Sequence, residues 1–128
     1  MPEFSIIIAT HNRARLLERS IISIQKQTEK NHQIIVISDS KDHQTYDVIN
    51  KCLSERDIFI QRQGTPGPAE SRNLGITAAS GDYVIFLDDD DTFRYCFLSV
   101  CFCGCYVTCF DIFPAELYSI LNFLPFIV

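Results

Sequence analysis

Short apolar runs and amphipathic stretches alternate through the first 93 residues, and the hydrophobic period switches each time from strand to helix. Phe4-Ser5-Ile6-Ile7-Ile8-Ala9 has the length and β-branched content of a buried strand. Thr10-His11-Asn12 ends it, and Asn12 is placed to cap the helix that follows. Leu17, Ile21 and Ile24 recur at helical spacing, with Arg13, Arg15, Glu18, Arg19 and Lys26 on the other faces. Gln33 to Ser38 reads as a second buried strand closing at Asp39, and a helix is expected from about Asp42 to Glu55, burying Tyr46, Ile49, Cys52 and Leu53. Ile58-Phe59-Ile60 is a short third strand, and Gly64-Thr65-Pro66-Gly67-Pro68 is a loop rich in breakers. Helix resumes near Ala69, runs through Leu74 and Ile76, and stops at Ser80-Gly81. Tyr83-Val84-Ile85-Phe86-Leu87 then forms a fourth strand that runs into Asp88-Asp89-Asp90-Asp91.

Strand–helix alternation of this kind predicts an α/β fold: a mostly parallel sheet, joined by right-handed crossovers, with helices on both faces. Ligands of such sheets bind beyond the carboxyl ends of the strands, at the point where strand order reverses. Three ends carry polar groups directly after an apolar run: Ala9-Thr10-His11, Ser38-Asp39-Ser40, and Asp88 to Asp91.

The last of these is the strongest chemical signal in the chain. Four adjacent carboxylates repel one another, and each favours its protonated form unless a counter-charge is supplied. A divalent cation removes that penalty, and a cation held by one or two carboxylates commonly carries substrate phosphates too. With the backbone extended past Leu87, Asp88 and Asp90 project to the same side and can reach one metal. A solvated acidic turn or a weak calcium loop is the bland alternative. The apolar strand immediately in front favours a metal–phosphate site.

Charge and length narrow the field. The 128 residues make one domain at most and carry a net charge of −5. No basic stripe is available for phosphate neutralisation, which argues against nucleic acid as a partner. Met1-Pro2-Glu3-Phe4 lacks the order of a signal peptide, so a cytoplasmic location is expected. The first turn, Ala9 to Arg13, contains no glycine, and the chain has no G-x-x-x-x-G-K-[ST] segment. A dinucleotide dehydrogenase and a P-loop enzyme are both excluded on that ground. A sugar-nucleotide pyrophosphorylase would also want a glycine-rich first turn. What remains is a site in which side chains hold the base and a metal neutralises the diphosphate.

Four segments then carry a family resemblance: S-I-I-I-A-T-H-N-R (Ser5 to Arg13), I-I-V-I-S-D-S (Ile34 to Ser40), S-R-N-L-G-I (Ser71 to Ile76) and G-D-Y-V-I-F-L-D-D-D-D (Gly81 to Asp91). In this order and spacing, Phe4 to Phe93 resembles the N-terminal half of family 2 glycosyltransferases, which have the Rossmann-like GT-A nucleotide-sugar-binding fold. The resemblance implies inverting transfer of a sugar from a nucleoside diphosphate sugar, a UDP-sugar first among them, to a glycan or other acceptor hydroxyl. It implies that Ala9, Thr10 and His11 line the base and ribose pocket, with His11 where the family more often has tyrosine. Asp39 would read the base, although Ser40-Lys41 replaces the usual Asn/Gly-Ser turn. Asp89 would meet the ribose, and Asp88 and Asp90 would hold Mg²⁺ or Mn²⁺ against the diphosphate. Arg72 would face the phosphates, as suits a bidentate guanidinium; a surface ion pair on its own helix is the alternative. The catalytic base is expected downstream of the acidic turn and is left unassigned.

The tail departs from this pattern. Residues 1–93 hold ten of the eleven basic and fourteen of the sixteen acidic residues, whereas residues 94–128 hold five of the six cysteines. The division expected is therefore a nucleotide-sugar-binding half-domain followed by an atypical hydrophobic, Cys-rich tail. Zinc binding is disfavoured because C-x-C-x-C plus Cys109 lacks the usual paired spacing. A disulfide staple conflicts with a cytoplasmic address. Tyr95 to Phe110 is an uncharged run of sixteen residues, short of the ~18–20 that span a bilayer, so peripheral membrane association through the tail stays open. The abrupt change of composition is also what an altered reading frame or truncated gene would give. On that expectation the chain is a truncated transferase lacking its acceptor half, with a non-catalytic product or membrane-associated interaction module as the alternative.

Overall fold

The computed structural model describes residues 4–103. The elements follow in the order β1 (Phe4–Thr10), α1 (Ala14–Gln25), β2 (His32–Ser38), α2 (His43–Cys52), β3 (Ile58–Gln61), α3 (Pro68–Ala78), β4 (Tyr83–Phe86) and α4 (Phe97–Cys103). The four strands form one parallel sheet in the order β3-β2-β1-β4. Strand order runs outward from β1 through β2 to β3, then returns to the other side of β1 for β4. The reversal therefore lies between β1 and β4, and the crevice beyond their carboxyl ends is where such a sheet receives a ligand.

Side-chain parity along the strands sorts the core into two layers. Phe4, Ile6 and Ile8 of β1, Ile34 and Val36 of β2, and Ile85 and Leu87 pack with Leu17, Ile21 and Ile24 of α1 and with Val48 and Ile49 of α2. Ile7, Ile35 and Ile37 face the opposite way, with Leu74 and Ala78 of α3 against them. Helices thus cover both faces, as the alternation predicted. The main chain of Leu87 still donates to Ile7 O at 3.0 Å, which carries the β1–β4 pairing one residue past the strand.

Several local expectations are revised. Asn12 does not cap α1: it sits in the left-handed region at φ 50, and Arg13 occupies the cap position without a side-chain capping bond. Asparagine tolerates that conformation, and the Asn12 N–H donates to Ser40 Oγ at 3.0 Å instead. Asp42 does cap α2, accepting from the Thr45 N–H at 3.0 Å and its hydroxyl at 2.8 Å. Burial works against its charge, but those bonds and one from Ser40 outweigh it and hold its carboxyl below the usual range. Tyr46 is 37% exposed rather than buried. Its ring lies edge-on to Phe59 of the outer strand at 5.4 Å, and its hydroxyl donates to Gln61 Oε1.

The break in composition after Phe93 is not accompanied by a break in packing. Phe93 stacks on Phe97 at 4.3 Å, and Phe97 and Leu98 are buried with the α1 layer. Cys96 and Cys101 are free thiols on the surface. The zinc, disulfide and membrane-association readings extend onto residues outside those described, Cys105 and Cys109 among them. Among the described residues no helix is long and apolar enough to cross a membrane.

Two glycines set how closely the layers approach. A Cβ on Gly75 of α3 would lie 2.5 Å from Ile7 Cγ2 and 2.9 Å from Ile37 Cδ1. One on Gly81 would lie 2.8 Å from the Ser5 backbone nitrogen and 2.9 Å from the Phe4 carbonyl carbon. Side-chain methyls can give a little; backbone inside a sheet cannot. Gly75→Ala also gains about 1 kcal/mol of helix propensity, which offsets part of an overpacking cost of about 1–3 kcal/mol. Urea denaturation is expected to show both variants destabilised, Gly81→Ala by about 2–3 kcal/mol and Gly75→Ala by less. The reverse ranking would contradict this packing.

Candidate functional site

Beyond Leu87 the chain does not stay extended. The Asp91 N–H donates to Asp88 O at 3.0 Å, closing a turn. The premise of an extended D-x-D pair is thereby corrected, yet the carboxylates still converge. Asp88, Asp90 and Asp91 each offer an oxygen, and these oxygens all lie within 4.8 Å of one another. All three residues are exposed, so a hydrated cation can reach them. The donor set is three hard oxygens with no nitrogen or sulfur, which fits Mg²⁺ or Mn²⁺ better than a soft metal. Asp91, not foreseen as a ligand, joins because the turn folds it back. Burial, and then the neighbouring charges of Asp90 and Asp88, push its carboxyl above the usual range against the pull of Arg19.

Asp89 takes a different part. It is 6% exposed, and both its oxygens are engaged. Thr10 Oγ1 donates to Oδ2 at 2.9 Å, and Arg13 Nη1 lies 3.3 Å from Oδ1 and 3.6 Å from Asp90 Oδ2. One carboxylate of the four therefore ties the end of β1 to the acidic turn, while the other three project outward.

The turn is also held from beneath by polar side chains of α1. Arg19 Nη2 donates to Asp90 O at 2.6 Å. The fully buried Ser20 hydroxyl lies within bonding distance of Asp89 O and Asp91 O, at 3.0 and 2.5 Å. Ser23 Oγ accepts from the Phe93 N–H at 3.0 Å, and Gln27 donates to Arg94 O and accepts from Leu98 N–H. Residues 20, 23 and 27 share one side of the helix and its extension, beside the apolar stripe. This row escaped sequence reasoning, because serine and glutamine at helical spacing look like a solvated face.

At the end of β2, Asp39 is paired with His11. His11 Nδ1 lies 2.6 Å from Asp39 Oδ1, while Asp39 Oδ2 accepts from the Gly67 N–H at 2.9 Å. Asp39 is shielded and the His11 side chain is half exposed. Arg62, also missed, is buried behind them. Its Nη2 stands 3.7 Å from Asp39 Oδ2 and donates to Thr65 O, its Nη1 meets Glu70, and its Nε donates to Ser71. A buried guanidinium needs such partners, and here they fold the Gly64–Pro68 loop against Asp39. On α3, Arg72 Nη2 pairs with Asp88 Oδ1 at 2.6 Å. Of the residues singled out in the sequence, the structure joins Thr10 with Asp89, His11 with Asp39, and Arg72 with Asp88. Ala9 is half-buried and lies opposite Ile37 in the β1–β2 ladder.

Comparison with known proteins places this arrangement in a family. Residues 5–101 match the model described as glycosyl transferase family 2. The chain is 40% identical over 94 residues to a GalNAc(5)-diNAcBac-PP-undecaprenol beta-1,3-glucosyltransferase of Campylobacter jejuni, covering 71% of this chain and 30% of that protein. It is also 40% identical over 87 residues to the UDP-Glc:alpha-D-GlcNAc-diphosphoundecaprenol beta-1,3-glucosyltransferase WfaP of Escherichia coli, covering 68% and 35%. The crystal structure of S. aureus TarS 1-349 in complex with UDP superposes with a TM-score of 0.73 at 25% identity, over 80% of this chain and 32% of that one. The chain thus spans about a third of the length of these curated relatives. With its parallel sheet and acidic turn it has the GT-A fold, and it belongs to glycosyltransferase family 2.

Proposed function

We propose that these residues form the donor-binding part of an inverting glycosyltransferase that takes a UDP-sugar and serves a hydroxyl on a glycan acceptor. The observation that carries this reading is the convergence of Asp88, Asp90 and Asp91 at the mouth between β1 and β4. Mg²⁺ or Mn²⁺ held there would offset the charge that builds on the leaving diphosphate.

The chain's own groups hold the donor. Ala9, Thr10 and His11 line the base and ribose side of the crevice, and Asp39 fixes the His11 ring. Thr10 and Arg13 keep Asp89 in place, so that the turn stands at the ribose. Arg72, now paired with Asp88, is within a side-chain rotation of an oxyanion at the turn, where its planar fork suits phosphate. The acceptor hydroxyl attacks the anomeric carbon opposite the leaving diphosphate, and a carboxylate base takes its proton. The names of the C. jejuni and E. coli relatives carry lipid diphosphate-linked acceptors, which supports a glycan on a polyprenyl diphosphate and a working position at the membrane face.

Calorimetric titration of UDP into the 128-residue chain tests this reading. Saturable binding is expected with Mn²⁺ and not without it, and Asp90→Ala is expected to weaken it by at least about 10-fold. Binding indifferent to both Mn²⁺ and Asp90→Ala, or no saturable binding, would overturn it.

The raised Asp91 carboxyl gives a pH dependence with a definite sign. Its proton must leave before it can ligate, so Mn²⁺ affinity should climb with pH through a window above the usual carboxylate range and then level off. The metal-free fold should behave oppositely. A carboxyl whose folded pKa is raised stabilises the fold as pH falls through that window. Mn²⁺ titrations and urea midpoints from about pH 4.5 to 7.5 check both slopes, and Asp91→Asn should flatten them. Unchanged slopes in that variant would assign them to another group.

A further inference from the structure

Three guanidiniums surround the acidic turn, and they do not touch it alike. Arg72 pairs with the Asp88 carboxylate, and Arg13 stands 3.3 and 3.6 Å from the carboxylates of Asp89 and Asp90. Arg19 instead donates to the main-chain oxygen of Asp90, the middle member of the converging trio, at 2.6 Å. Its neighbour Ser20 lies on the main-chain oxygens of Asp89 and Asp91. The carbonyls of three consecutive residues are therefore accounted for by two adjacent residues of α1, while Asp88, Asp90 and Asp91 are exposed with their carboxylate oxygens within 4.8 Å of one another. Arg19 is exposed, and its side chain is absent from the apolar core.

Resting on the reading of the turn as a divalent-cation site, we propose that Arg19 is a positioning residue for it. Its hydrogen bond to the Asp90 carbonyl fixes the turn in the shape that brings the three carboxylates together. Charge alone argues the other way. A guanidinium beside a dication repels it, so a purely electrostatic Arg19 would weaken metal binding and its removal would tighten it. Positioning and charge thus predict opposite signs for one substitution. Groups that orient metal ligands typically matter by about 10–100-fold in affinity.

The test is Mn²⁺ titration of the full 128-residue chain without nucleotide, followed by water-proton relaxation, at one fixed pH of about 8 for every variant. Arg19→Ala should weaken Mn²⁺ by about 10-fold or more, with its urea midpoint close to that of the unaltered chain, and Arg19→Lys should recover much of the loss. Equal or tighter Mn²⁺ binding in Arg19→Ala overturns the proposal while leaving the cation site standing. A fall in affinity matched by a large fall in urea midpoint, or with no recovery in Arg19→Lys, also overturns it, since that marks general loosening of α1. If the unaltered chain binds no Mn²⁺, the cation reading itself fails, and this role with it.

Discussion

The structure depends on a row of polar side chains along α1 that satisfies the backbone of the segment after β4. Ser20 and Gln27 are fully buried, and each is bonded to main-chain atoms from the acidic turn or the residues following it. A buried polar group left without a partner costs about 1–3 kcal/mol, so these bonds are strongly selective for one path of the chain. The same helix buries Leu17, Ile21 and Ile24 against the sheet. One stripe fastens α1 to the strands and the other fastens the acidic loop to α1. The loop inherits its position from the sheet through that double attachment.

This explains how four consecutive aspartates can be tolerated and put to different uses. Asp89 points inward, where Thr10 and Arg13 meet its charge. Its partners face outward, where water and Arg72 moderate their repulsion. Pairing at Asp89 fixes the turn against the end of β1, next to His11 and Asp39. The cluster stands at the switch point of the sheet because β4 returns beside β1, and the close approach at Gly75 and Gly81 keeps both helix layer and strand tight enough for that geometry.

Much of this was legible in the sequence. Apolar runs such as Ile6-Ile7-Ile8 and Ile34 to Ile37 specify buried parallel strands almost without alternatives, and their order implies where the polar ends meet. The pairing of Thr10 with Asp89 across 79 residues was not legible, nor was the part played by Ser20, because long-range partners of small polar residues leave no periodic trace. Asn12 misled for a related reason. It looks like a cap, but the bond offered by Ser40 favours a left-handed backbone. The extended reading of the acidic run failed because four charges in a row say nothing about the carbonyls between them, and it is the carbonyls that α1 holds.

Paramagnetic broadening by Mn²⁺ in a ¹⁵N-labelled chain examines the central claim most directly, since the effect falls off steeply with distance from the ion. Sub-stoichiometric Mn²⁺ should erase the amide signals of Asp88 to Asp91, and with them those of Thr10 to Arg13 and Arg19. Signals of Ser54 to Asp57, before the opposite end of β3, should survive. Broadening spread evenly over the acidic residues of the surface, or confined to the turn without the end of β1, would contradict a cation site built between these strands.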